Sequence, residues 1–192
     1  MTTMSMAVRR TTMRGPARWL ILPALVATMM VVAVVPARAD SCAVPWGSAA
    51  KQAGSLRTAP LVATRTGRHA CFDRVVFEFR GAATGYRVSY VDTVVAEGSG
   101  RPLPVAGGAK LQIQLLDPAY DVQGHATYPY RVGQHVADLS GYRTLRDLVY
   151  GGTFEGYTGF GLGARARLPF RVLVLTGPGS YSRIVVDVAH QW

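Results

Sequence analysis

The sequence predicts an all-β protein, a β-sandwich of short, mainly antiparallel strands, preceded by a signal-peptide helix. The first observation is an alternation of apolar and polar residues with period two, the spacing of a strand that buries one face. Val75, Phe77 and Phe79 point one way, and Arg74, Val76 and Glu78 point the other. The second is that the chain writes this pattern twice. DRVVFEF and YRVSYV, in the stretch that starts at Phe72, return as SRIVVDV and FRVLVL within Phe170–Val188. Ile184, Val186 and Val188 then oppose Arg183, Val185 and Asp187, while Tyr86, Val88 and Tyr90 match Phe170, Val172 and Val174, with Arg87 and Arg171 opposite. The third is that Gly/Pro turns separate many short runs of this kind, the layout of a sandwich or barrel. A slip of one residue would invert every strand, so the alternation fixes which side is core.

Residues 1–39 read as a secretory signal. Arg9, Arg10, Arg14 and Arg18 precede the apolar run Trp19–Val35, and Ala37-Arg38-Ala39 supplies the small residues that signal peptidase requires. Cleavage is expected between Ala39 and Asp40. The 17-residue run sits at the lower limit of the about 17–25 residues of a membrane span, so Pro36 and the A-x-A site favour cleavage over a retained anchor. No stable span is then expected to remain. Thr11-Thr12-Met13 is a poor continuation of a twin-arginine signal, which favours general secretion. Asp40-Ser41 before Cys42 lacks the leucine-led box of a lipoprotein.

The precursor carries a net charge of +10, but 5 of its 21 Lys+Arg and none of its 11 acids lie in residues 1–39. The remainder keeps 16 basic against 11 acidic residues, a net +5, with the basic residues scattered singly, which does not indicate nucleic acid. Mild attraction to an anionic wall or membrane surface fits, as does simple solubility. Cys42 and Cys71 are the two cysteines, and an exported chain meets an oxidising compartment, so they are expected to pair.

Residues 40–60 form a polar arm with Trp46 as its one large ring, held by that ring and the expected bridge. The domain proper covers 61–192. Strands are expected at Leu61–Thr66, Asp73–Arg80 and Tyr86–Val95, with a hairpin-type turn at Glu97–Gly100. Pro102 and Pro104 confine the next stretch to an edge or a loop. Lys110–Leu116 alternates Leu111, Ile113 and Leu115 with Gln112 and Gln114, a strand with one wet face. Asp117–Gln134 lacks the alternation, and irregular segments of such length often carry function. Val136–Tyr150 admits a helical turn, but its glycines favour a strand. In Tyr157–Leu162 glycines alternate with larger residues, which suits a strand that another backbone or ring approaches closely. Phe170–Leu175 and Arg183–Val188, joined by Gly177-Pro178-Gly179, close the sheet.

No catalytic signature is present. Gly98-Ser99-Gly100 is a turn rather than a nucleophile elbow, and His69, His125, His135 and His190 lack metal-protease spacing. Gly159–Gly163 lacks the strand–turn–helix setting of a nucleotide loop, and Asp117, Asp121 and Gly124 are turn residues rather than a calcium loop. No enzyme activity, metal or other cofactor is therefore expected. Arg74, Glu78, Arg183 and Asp187, on the outward sides of their strands, are the candidate binding surface, with edge protection and solubility as the plainer reading. Asp187 is expected to be the solvated partner of Arg183.

Pro169–Val188, PFRVLVLTGPGSYSRIVVDV, resembles the closing motif of AMIN domains: an F-R-V-x-x-L strand, a Pro/Gly turn, then R-hydrophobic-V-V-D-hydrophobic. With Trp46-Gly47-Ser48, Gly67-Arg68-His69, Phe72-Asp73-Arg74-Val75-Val76, Gly85-Tyr86-Arg87-Val88 and Asp187-Val188-Ala189-His190, the chain resembles the AMIN-like exported proteins of actinobacteria over Trp46–Trp192. The resemblance implies a β-sandwich module of the kind that sits beside cell-wall amidases and secretin subunits and targets them to peptidoglycan. It carries no established ligand residues. The insertion between the two strand pairs is longer than a plain AMIN module requires. The expected function is an exported, non-enzymatic envelope module, secreted and wall-associated, that binds cell-wall glycan or an envelope protein. The alternative is a secreted protein-interaction module, an inhibitor or complex subunit, that uses the Asp117–Gln134 loop.

Overall fold

The computed structural model describes residues 42–192. The signal segment and its cut between Ala39 and Asp40 lie outside the described residues. Eleven strands follow one another, with no helix among the described residues: β1 (Lys51–Ala53), β2 (Leu61–Arg68), β3 (Phe72–Arg80), β4 (Tyr86–Val91), β5 (Val94–Val95), β6 (Pro102–Leu103), β7 (Ala109–Leu115), β8 (Leu145–Phe154), β9 (Tyr157–Ala164), β10 (Phe170–Thr176) and β11 (Tyr181–Ala189). One sheet of five strands has the order β1-β4-β7-β9-β8, and a second of four has the order β10-β11-β3-β2. Every pairing is antiparallel.

The two sheets face each other across one core, as a sandwich does. Val75, Phe77, Phe79, Ile184, Val186 and Val188 from the four-stranded sheet meet Leu111, Ile113, Leu115, Leu148, Phe160 and Leu162 from the other. Phe77 and Phe160 touch across the interface with ring centroids 4.7 Å apart. Val75, Phe77, Phe79, Leu111, Ile113, Leu115, Ile184, Val186 and Val188 are the residues that the period-two alternation assigns to the inside. A smaller core of Val94, Ala96, Leu103, Val105 and Val149 lies under the two-stranded β5–β6 ribbon.

That ribbon explains the glycine spacing of β9. A Cβ on Gly161 would lie 2.6 Å from Val105 and 2.8 Å from Val94, and one on Gly163 would lie 1.8 Å from the Ala106 carbonyl oxygen. Close approach by neighbouring chain, not flexibility, is why these positions lack a side chain. The β8–β9 hairpin turns through Glu155 and Gly156 at φ 48° and 84°, the double positive φ of a type I′ turn.

The arm is more ordered than its composition implies. Lys51–Ala53 adds an edge strand to β4, the Phe170 N–H donates to the Gly47 carbonyl, and Cys42 is bonded to Cys71. The expected strand Tyr86–Val95 divides at Asp92-Thr93, because Val94 leaves the sheet to pack in the smaller core. The expected strand Val136–Tyr150 begins only at Leu145, and residues 136–144 are irregular, with Val136 and Leu139 sunk into the main core. The second echo also has an unequal outcome. β4 lies inside the five-stranded sheet, whereas β10 is the edge of the other, so Val174, expected on the core face beside Tyr90, is exposed.

Candidate functional site

The outer face of the four-stranded sheet is built by register. Antiparallel pairing of β3 with β11 sets Arg74 opposite Asp187, Val76 opposite Val185 and Glu78 opposite Arg183. The repeated Arg-x-x-x-acid motif thus meets itself head to tail, each arginine across from the other strand's acid. β10 extends the rows with Arg171 beside Asp187, Leu173 beside Val185 and Leu175 beside Arg183. Two charged rows thereby flank an apolar one.

Asp187 is not the solvated partner of Arg183. Its side chain is completely buried, and it accepts from Arg74 Nε at 2.6 Å, Arg74 Nη2 at 2.9 Å and Arg171 Nε at 2.8 Å. Residues four apart on one strand stand about 13 Å apart, too far for an ion pair, so the partner comes from the neighbouring strand. The hydrogen bond to Asp187 raises the Arg74 guanidinium above its ordinary value, against the opposing effect of burial. Around this row gather rings from the arm and from the start of β3. Arg171 lies 4.3 Å from the Trp46 ring centroid, Arg74 lies 5.2 Å from that of Phe72, and His69 stacks on Phe72 at 4.3 Å. The disulfide holds the arm beside this ring cluster.

The other charged row behaves differently. Arg65 on β2 takes both oxygens of Glu78, at 2.9 and 3.1 Å. Arg183 faces a cleft of about 370 Å³ lined also by Gly177, Pro178 and Tyr181. Of the four candidate residues, the fold joins Arg74 to Asp187 and sets Glu78 opposite Arg183 in register, while the ion pair of Glu78 is with Arg65.

Two further polar pairs escape sequence reasoning. Asp73, fully buried, accepts from the Thr144 and Leu145 N–H groups and lies 3.1 Å from His190 Nε2. This ties the end of β11 to the start of β8 and is a structural tie. On the five-stranded side, Asp147 accepts from the Ala106 N–H at 2.9 Å and lies 2.6 Å from His135 Nδ1. Nothing in the sequence pairs a loop histidine with an aspartate twelve residues on. Among the described residues no group of three His, Cys, Asp or Glu side chains is placed to hold a metal ion.

Residues 59–190 match the AMIN-like domain. The chain belongs to the AMIN-like domain family. The match starts at Ala59, later than the Trp46 at which the sequence resemblance begins, so the arm with Trp46 and Cys42 precedes the family's part of the chain. The AMIN-like domain is a binding-type family associated with the cell envelope. No curated protein matches the chain. Among the described residues no helix is long and apolar enough to cross a membrane.

Proposed function

We propose that this AMIN-like domain is an extracytoplasmic, non-enzymatic module that binds cell-wall glycan through the outer face of its four-stranded sheet. The observation that carries the reading is the Arg171–Asp187–Arg74 row. A buried carboxylate fixes two guanidinium planes beside Trp46 and Phe72, which sets rigid donors next to aromatic surface. Preorganised donors lose little freedom on binding, so such a row suits a hydroxyl-rich ligand better than mobile surface lysines would. The disulfide agrees with a location outside the cytoplasm.

Sedimentation with purified sacculi tests this. The protein is expected to remain with the wall at moderate salt, and the double variant Arg74→Gln/Arg171→Gln to lose most of that retention while keeping its circular dichroism. Release on raising the salt would show attraction between exposed charges alone. Equal retention by the double variant would remove this face from the site. The second reading, a secreted protein-interaction module (an inhibitor or complex subunit) that uses the Asp117–Gln134 loop, has Val122 in its favour, 85 % exposed on that loop. A single exposed valine is ordinary, so the braced row takes precedence.

A further inference from the structure

The repeat of Arg-x-x-x-acid is symmetric in register but not in charge. Where Asp187 answers Arg74, the same logic assigns Glu78 to Arg183. Glu78 is instead held at both oxygens by Arg65. The Arg183 Nε is buried and has no hydrogen-bond partner among the described residues. A desolvated donor on a charged group is costly to leave unmet, and since this Nε has no accessible surface of its own, an incoming acid meets Arg183 through the atoms that line the cleft. The cleft around it, about 370 Å³, is bounded by Pro178 and the exposed Tyr181 on one side and by Arg65 and Glu78 on the other. Its charge is two guanidiniums against one carboxylate, short of balance by one negative charge.

We infer that this cleft is a carboxylate-binding site, with Arg183 as the residue that receives the acid group and Tyr181 and Pro178 as the wall against which a small apolar side chain rests. The planar fork of an arginine matches a carboxylate in two parallel hydrogen bonds, and a partly desolvated one binds it more strongly than a solvated lysine does. The volume lies near the small end of the about 300–1,000 Å³ of ligand pockets, which fits the end of a short peptide rather than a long polymer. The site lies on the face assigned above to glycan. It deepens that reading by adding a place for the free acid of a peptide attached to or lying beside the sugar strand.

The probe is N-acetyl-alanyl-alanine, which ends in a free carboxylate, with its C-terminal amide as control. Nitrogen–proton NMR of the full protein reports on the Arg183 Nε–H directly. The acid is expected to shift that resonance and those of Tyr181 saturably, with a dissociation constant of about 1 mM, the scale of a weak fragment. The amide is expected to leave them in place. Arg183→Gln should weaken acid binding by at least about tenfold, the equivalent of one lost charge-assisted bond. Arg101→Gln, on the turn before β6, should leave it unchanged. Equal shifts with acid and amide, undiminished binding in Arg183→Gln, the same shift produced by chloride, or no response to the acid would each overturn the assignment, and the wild-type comparison does so without any variant having to fold. A response to the acid together with release from sacculi would keep the cleft and refute the glycan reading. Retention on sacculi with no response would do the reverse.

Discussion

At Asp117 the sandwich encloses a carboxyl group with only half its acceptors met. Oδ1 takes the Ala59 N–H at 3.1 Å, while Oδ2 is buried without a partner among the described residues. Burial raises its pKa from 3.8 to about 7, only partly offset by the Ala59 hydrogen bond and the charge of Arg57. The folded state therefore holds this proton where the unfolded chain has released it. Its contribution to stability is complete below about pH 4 and is lost as pH rises through about 7. Thermal unfolding followed from pH 4 to 8 should show a midpoint that falls across this window, and Asp117→Asn, which keeps the acceptor for Ala59, should flatten the fall. An unchanged slope in that variant would place the titration elsewhere. The sequence marks Asp117 only as a turn residue, since burial is a tertiary fact. Arg74 and Asp187 were similarly legible as outward-facing but not as each other's partners, because only register decides which charge stands across the sheet.

The elements themselves were largely readable, and the glycines of β9 show why. Alternation of glycine with larger residues implies that something comes close, and the structure shows it to be the β5–β6 ribbon and the Ala106 carbonyl. Gly163→Ala should lower the unfolding free energy by about 3 kcal/mol, since the obstacle is backbone, and Gly161→Ala by about 1–2 kcal/mol, since valine side chains can yield a little. Urea titration measures both, and a neutral Gly163→Ala would contradict the packing. The ribbon's separation from β4 was not readable, because VVA at 94–96 continues an acceptable strand pattern and only the second core draws it off. β8 was blurred for a related reason. Val136 and Leu139 are apolar because an irregular segment buries them, so apolar spacing there carries no strand period.

For the whole molecule, two facing layers follow from the alternation, but the sheet to which each strand belongs does not. YRVSYV and FRVLVL look alike and lie in different sheets. The disulfide spans a sequence separation of 29 and ties residues before the family match to the start of β3. Closing a loop of that size in the unfolded chain is worth about 3–4 kcal/mol on the chain-entropy account. Cys42→Ser/Cys71→Ser should lose about 3 kcal/mol in denaturant unfolding, and stability equal to wild type would mean that the arm is held by Trp46 and β1 alone. The placement of β11 has a further consequence, for assembly. The last of the eleven strands is the one that lies between β3 and β10, so the four-stranded layer cannot be completed before β11 is in place. Until then β10 has no neighbour in its sheet, and the five-stranded layer has only the β2–β3 hairpin to close against.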